Sequence, residues 1–414
     1  MRILHTSDWH LGRSLEGRDR QGEQEKFIDE LVTIVRDENI RCVLIAGDVF
    51  DSVNPPARAE ELYYDALERL SDGGTRAVIV AAGNHDSPER LCAVEPLALR
   101  YGIILSGKPG DTFSPDESGR KDRVHIVEGG AGWCILRIPR CDADMALCTL
   151  PFPTESRMNQ VFSSLNEGEK DNAARFASCI SDYIGRGCEC FSDSTVNLFI
   201  GHFFVGGSME SESERPIQLG GTHLVPSSLL PGNAHYCALG HLHIPQEVRG
   251  SNVPARYSGS PLAYSFSEAG VAKSVICVDI SPGRSAVPQE IVLSSGRPLV
   301  RWQASGLEEV HRWLDEGKDG NAWIDLEISL SESLSISDLR KLKEKGAGIV
   351  NIRPVFQTEE PLPAERRSQL PLDRLFIEFY RKQKKGSEPT EDVIRLFMRL
   401  VNDETTDSME VNCQ

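Results

Sequence analysis

Residues 77–86 read Ala77-Val78-Ile79-Val80-Ala81-Ala82-Gly83-Asn84-His85-Asp86. A short apolar run rich in β-branched residues and closed by glycine fits a strand buried on both faces, which needs no polar alternation. Beyond the glycine stand an amide, an imidazole and a carboxylate in succession. Four other apolar runs share this plan. Residues 2–7 lead into Asp8-Trp9-His10, and residues 42–46 into Gly47-Asp48. Residues 196–200 lead into Gly201-His202, and residues 236–239 into Gly240-His241-Leu242-His243. Helical patterns separate the first three runs. Phe27, Leu31, Ile34 and Val35 share one face of a helix predicted over 22–39, and Leu62, Tyr63, Ala66, Leu67 and Leu70 mark a second over 60–70. Strand, helix, strand, helix, strand is the order of an α/β layered fold, whose ligand sites gather at the carboxyl ends of strands.

The 414 residues exceed one domain of roughly 150 residues, so two or three are expected. Forty-five Lys and Arg against 62 Asp and Glu leave a formal charge of −17. That balance argues against binding nucleic acid through the chain's own field, unless divalent cations or a basic partner reverse it locally. No apolar run approaches the 18 or so residues that span a bilayer, and residues 1–4 lack the apolar core of a signal peptide. Eleven cysteines form no CxxC pair; Cys188 and Cys190 are the closest spaced. These features predict free thiols, no membrane segment and a cytoplasmic location. Residues 107–132 read as a surface excursion with a short strand at 124–127, and Phe176, Ile180, Tyr183 and Ile184 mark another helix. After residue 280 the runs 299–304, 308–315, 323–328, 336–345 and 349–356 alternate strand and helix without ligand-type residues at the strand ends. The expected organisation is therefore a main domain over 1–296, a small α/β domain over 297–358 and a helical segment over 359–414.

Asp8 and His10, two residues apart, can project from one loop toward a single ion. His241 and His243 have the same spacing and can serve two different ions. Asp48 can bridge two cations with its two oxygens, and Asn84 and His202 complete a second set. Mixed oxygen and nitrogen donors suit Mn²⁺, Fe²⁺ or Zn²⁺ better than Ca²⁺. Two such ions about 3.5–4 Å apart hold a phosphoryl group, activate water and neutralise charge in an in-line displacement. His85, left without an ion, is placed to hydrogen-bond the phosphate or protonate the leaving oxygen. Singly, each short motif is weak. Together they place five of the ten histidines at five strand ends, in an order that fills two metal sites. No GxxxxGK(S/T) phosphate loop, GxSxG elbow or HExxH pair occurs.

The order Asp8-x-His10, Gly47-Asp48, Gly83-Asn84-His85-Asp86, Gly201-His202 and Gly240-His241-x-His243 resembles the calcineurin-like metallophosphoesterases. More narrowly, residues 5–12, 46–51 and 257–262, with Ser213-Glu214-Arg215-Pro216 and Gly220-Gly221, resemble the bacterial MRE-type nucleases of double-strand-break repair. The likeness spans essentially the whole chain and is strongest over 1–270. It implies a layered β-sheet core with a small α/β cap and a C-terminal helical pair. It implies one metal site of Asp8, His10, Asp48 and His243, and another of Asp48, Asn84, His202 and His241. His85 would be the catalytic residue, and the ions two Mn²⁺, although other divalent ions suit the same donors. The expected activity is Mn²⁺-dependent cleavage of DNA, exonucleolytic on duplex ends and endonucleolytic on hairpins and single strands. The expected partners are DNA, an SbcC-type coiled-coil ATPase and a second copy of the chain, giving a homodimer within a heterotetramer. Ile244-Pro245 after His243, where a basic residue often stands, is a departure that bears on DNA contact. The same metal ligands would also serve a phosphatase or phosphodiesterase of small phosphoesters, and a non-catalytic DNA-end scaffold is the reading from another class.

Leu372, Leu375, Phe376 and Phe379 follow helical spacing, as do Val393, Leu396, Phe397, Leu400 and Val401, with Ser387 or Thr390 available as N-cap. Helices this short need something to pack on: their own chain or, as the resemblance implies, the ATPase. Truncation after Glu360 is expected to spare Mn²⁺-dependent cleavage of simple substrates while abolishing co-purification with the ATPase. Recovery of the truncated chain with the ATPase at normal yield would refute this.

Overall fold

A computed structural model describes residues 1–116, 121–161, 172–214, 224–330, 334–356, 372–383, 388–391 and 393–397. They divide into a large unit, carrying residues 1–329 and 334–354, and a small unit to which residue 330 and those from 355 onward belong. In the large unit, β1 (Arg2–Thr6), β2 (Cys42–Ala46), β3 (Ala77–Ala81) and β4 (Ile103–Ser106) pair in parallel in that order. The chain then builds a second sheet from β5 (His125–Gly130), β6 (Trp133–Arg137), β7 (Met145–Leu150), β8 (Val196–His202) and β9 (Tyr236–Gly240). Strands β10 (Gln246–Glu247) and β11 (Ala255–Tyr257) extend that sheet, with β7, β8, β9 and β11 running parallel. Strands β12 (Ser274–Asp279) and β13 (Val287–Val292) return to the first sheet, β12 lying antiparallel to β1. A third sheet holds β14 (Leu299–Ala304), β15 (Trp323–Leu330) and β16 (Ile349–Phe356). The helices Leu307–Asp315 and Ile336–Lys345 alternate with its strands, in the order the periodicity predicts.

Alternation along the strands assigns each residue to a layer. Leu4, Val43, Ile45, Val78 and Val80 face helices α1 (Gln21–Asp37) and α2 (Ala57–Ser71). Ile3, Leu44, Ala46, Ile79 and Ala81 face the second sheet, where they meet Leu147, Leu198, Ile200, Tyr236 and Ala238. The outer face of the second sheet, with Phe199, Cys237 and Leu239, packs on Phe176, Ile180, Tyr183 and Ile184 of the helix Asn172–Gly187. The central strands β2 and β3 are apolar throughout because both of their faces are buried. In α1 the fully buried stripe is Phe27, Ile28, Leu31 and Val35, so Ile28 takes the place expected for Ile34. Helix α2 starts three residues before its expected limit, at Ala57 after Pro56, which caps it in extended backbone (φ −65°, ψ 148°). The strand expected over 124–127 runs over His125–Gly130, since pairing with β6 carries its hydrogen bonds further along the chain. The ten described cysteines are free thiols. Among the described residues no helix is long and apolar enough to cross a membrane.

In the small unit the helix Leu372–Gln383 faces the segment Val393–Phe397 through stacked Phe376 and Phe397 rings, 4.1 Å between centroids. Val393 and Ile394 donate their backbone N–H groups to Thr390 O, so that segment starts at Thr390. Ser387, Leu400 and Val401 lie outside the described residues.

His5 of β1 is buried, with Nδ1 2.9 Å from the Tyr236 hydroxyl of the opposite sheet. Burial pushes its imidazole down to about 3. The unfolded chain takes up this proton near the ordinary imidazole value of about 6.5. Its contribution to stability is therefore complete above about 6.5 and is lost as pH falls toward 3. Urea unfolding of His5→Gln is expected to show a stability profile flatter than wild type over this window, by up to about 1.4 kcal/mol per pH unit.

Candidate metal centre

Parallel pairing brings the carboxyl ends of β1, β2 and β3 together, and that of β8 and β9 does the same across the sandwich. The loops beyond β1 and β2 continue side by side: Asp8 N donates to Gly47 O (2.9 Å), His10 N to Asp48 O (3.0 Å) and Leu11 N to Val49 O (2.9 Å). Asp8 (φ 53°), His10 (φ 45°), Asp48 (φ 49°) and His241 (φ 108°) all hold left-handed backbone. Such strain collects at functional sites, where surrounding structure over-determines it. The glycines of the motifs have steric reasons. A Cβ on Gly47 would overlap the His202 ring, on Gly83 the Asp48 carboxylate, and on Gly240 the Ala46 carbonyl oxygen.

The seven expected ligands converge. Donor atoms of Asp8, His10 and His243 lie within 4.8 Å of one another, as do those of Asp8, Asp48 and His202. Asn84 Oδ1 stands 2.9 Å from His202 Nε2 and 3.0 Å from His241 Nδ1. Asp48 Oδ2 reaches both halves, 3.8 Å from His10 Nε2 and 3.4 Å from His202 Nε2. Asp8 is fixed by the Ser7 hydroxyl (2.5 Å) and the His241 backbone N–H (3.0 Å). His85 lies beside the set, its ring centroid 4.7 Å from that of His10. Its backbone N–H donates to Asp48 Oδ1 (2.8 Å), and its Nδ1 donates to Asp51 O (2.7 Å), leaving Nε2 free. Asp86 does not face this cluster: its carboxylate accepts from the Val49, Phe50 and Gly83 backbone N–H groups, tying the loops after β2 and β3 together.

Electrostatics show what the set lacks. Burial pushes the Asp8 carboxyl up to about 8. Burial also works against ionisation of Asp48, yet His202, His85 and His10 hold it well below the ordinary range. His202, opposed by the same burial, is held up at about 9 by Asp48. Burial keeps His10 and His243 neutral and pushes His241 down to about 3. The Nε2 atoms of the neutral His10 and His243 rings nevertheless stand 3.0 Å apart, and His10 Nδ1 is buried without a hydrogen-bond partner. Converging imidazole nitrogens and buried carboxylate oxygens form a donor set that fits divalent transition-metal ions.

Other residues of the centre were not among the sequence expectations. Asp51 Oδ1 lies 3.6 Å from His10 Nδ1 and from Arg13 Nη1. Ser213 and Glu214 contact His243, and Glu268 stands behind Ser213. Ser213-Glu214 belongs to a segment that carries the family resemblance, and Ser265-x-x-Glu268 has capping-box spacing that the structure forms. Neither pattern states which side chain it will meet. Arg215, Pro216, Gly220 and Gly221 lie outside the described residues.

Residues 1–245 match the family model described as calcineurin-like phosphoesterase. The SbcD component of the SbcCD nuclease of Bacillus subtilis (strain 168) is 45% identical over 405 residues, covering 97% of this chain and 98% of that protein. Its namesake from Rhodobacter capsulatus is 32% identical over 309 residues, 74% of this chain and 72% of the relative. That of Escherichia coli (strain K12) is 29% identical over 344 residues, 81% of this chain and 79% of the relative.

Gly83→Ala is expected to lower the divalent metal retained after dialysis at least tenfold, read by elemental analysis. Gly22→Ala, whose new Cβ would meet nothing within 4 Å, serves as the control and should retain the wild-type content.

Proposed function

This chain belongs to the calcineurin-like phosphoesterases, in the branch of the SbcD nucleases, and from that premise we propose that it is a Mn²⁺-dependent DNA phosphodiesterase of end processing, repair and recombination. It is a hydrolase of the nuclease class. The proposal adds exonucleolytic action on duplex ends, endonucleolytic action on hairpins and single strands, and work in company with an SbcC-type ATPase. The observation that carries it is the convergence of seven donors around Asp48, with His85 beside them, its donor atom within 4.8 Å of those of His10 and Asp51.

Asp8, His10, Asp48 and His243 would hold one Mn²⁺, and Asp48, Asn84, His202 and His241 the other. The bound ions would supply charge neutralisation at the phosphoryl group and an activated water. His85 acts through Nε2. Its Nδ1–H is committed to the Asp51 carbonyl, so a proton carried on Nε2 is aimed away from the backbone and toward the leaving oxygen. The backbone bond from His85 N to Asp48 ties the position of this acid to the residue shared by both sites. Paired cations also answer how a chain of charge −17 meets a polyanion. Two features support the assembly. Exposed Tyr64, Leu97, Leu99 and Tyr101, on and near α2, support a homodimer through the segments 60–70 and 89–101. Exposed Phe379 and Leu396 in the small unit support packing of the C-terminal helices on the ATPase.

His85→Ala is expected to keep two metal ions per chain but lower cleavage of hairpin and blunt duplex DNA by about 10²–10⁴-fold. Wild-type cleavage rates in that variant would remove His85 from the mechanism. Faster turnover of p-nitrophenyl phosphate esters than of a DNA hairpin by the wild-type protein would reassign the substrate to small phosphoesters.

A further inference from the structure

His243 is held at three points by groups that the proposed reaction does not use. Its backbone N–H donates to Glu214 Oε1 (2.7 Å), and its carbonyl oxygen accepts from Lys273 Nζ (2.8 Å). Its ring Nδ1 lies 2.6 Å from Ser213 Oγ, which is itself 2.7 Å from Glu268 Oε1. Lys273 Nζ also pairs with Glu268 and donates to Ser260 Oγ (3.0 Å). Ser213, Glu268 and Lys273 are 7%, 1% and 9% exposed. The network is thus buried beside the centre.

The proton arrangement follows from donor counting. The Glu268 carboxylate accepts from Lys273, from the Ser213 hydroxyl and from the Tyr264 and Ser265 backbone N–H groups, at 3.0 Å for the last two. Ser213 has one hydrogen and two oxygen neighbours besides His243, Glu268 Oε1 at 2.7 Å and Ser211 Oγ at 2.6 Å; the Glu268 carboxylate, an acceptor only, takes that hydrogen. The Ser213 oxygen is then an acceptor toward His243, so His243 Nδ1 carries the proton and Nε2 the lone pair. Nε2 is the atom that faces His10 Nε2 at 3.0 Å. His202 meets the same need with a backbone carbonyl, Ala46 O at 2.8 Å. A buried ion pair stabilises a fold no better than apolar residues of similar volume, so its placement calls for another reason. Partners behind a metal-binding imidazole fix its tautomer and orientation and raise its basicity.

We propose that Ser213, Glu268 and Lys273 are positioning residues that hold His243 as the Nδ1–H tautomer and thereby set the cation affinity of one half of the centre. The inference rests on the two-ion reading above and goes beyond it by dividing control of the two ions between different supports. Removing the Ser213 hydroxyl loosens one ion and spares the other.

The test uses the full-length chain, stripped with chelator and titrated with Mn²⁺ by calorimetry, with electron paramagnetic resonance to separate single ions from coupled pairs. Wild type is expected to take two ions. Ser213→Ala should lose about 10–100-fold in affinity at one site and less than threefold at the other. Ser213→Thr, which keeps the hydroxyl, should recover most of the loss. The charge-neutral pair Glu268→Gln with Lys273→Met should reproduce the one-site loss and add little to Ser213→Ala. Long-range ¹⁵N–¹H spectra of the histidine-labelled, metal-free wild type should show His243 protonated on Nδ1, a readout that needs no variant. Unchanged binding in Ser213→Ala, an equal loss at both sites, or a His243 proton on Nε2 would overturn the inference while leaving the two-ion centre standing. Wild-type protein that binds no Mn²⁺ would overturn both.

Discussion

The carboxylates of Asp8 and Asp48 share one buried cluster with His202, and paying for those two charges organises everything near them. An unpaired buried carboxylate is among the most costly groups a fold can contain. Asp48 has the His85 N–H and the His202 imidazole beside it, which keep it ionised. Asp8 has the Ser7 hydroxyl and the His241 N–H, too little to offset burial, and its proton affinity rises accordingly. The arrangement is coherent once cations supply the missing positive charge. The same requirement accounts for left-handed backbone at four of the seven donors and for glycines where a Cβ would strike a ligand.

Around this charge the fold supplies rigidity. Asp86 ties two ligand-bearing loops through three backbone N–H groups, with Gly83 adjacent to Asn84 and Val49 adjacent to Asp48. The strands beneath are buried on both faces, so a shift in register would disturb the helix layer and the sheet–sheet layer together. The site consequently rests on strand ends with little freedom, which suits a chemistry that depends on fixed charge placement.

The chain's negative charge and its nuclease class are reconciled at the same place. Its long-range field repels a polyanion, whereas a dinuclear centre would invert the field only where the phosphodiester must sit. Non-specific adhesion along DNA is disfavoured by this distribution.

Much of this was legible in the sequence because its causes are local. An apolar run followed by glycine and a polar residue reports a buried strand and what stands at its end, and five such reports in order named seven side chains that the fold brings together, with His85 beside them. The helix over 22–39 and the alternation over 299–356 were equally local, and the structure moved their limits by at most two residues. Contacts between distant segments were not legible. That Asp86 binds backbone N–H groups 36 and 37 residues away depends on how β2 and β3 pair. That Ser213 joins His243 to Glu268, across separations of 30 and 55 residues, depends on three loops meeting behind one strand end. Sequence alone determined which side chains stand at the strand ends, because strand and turn preferences act over a few residues. Tertiary structure decided which ring nitrogen faces the centre and which charges support it, because hydrogen bonds between distant segments exist only after the sheets have packed.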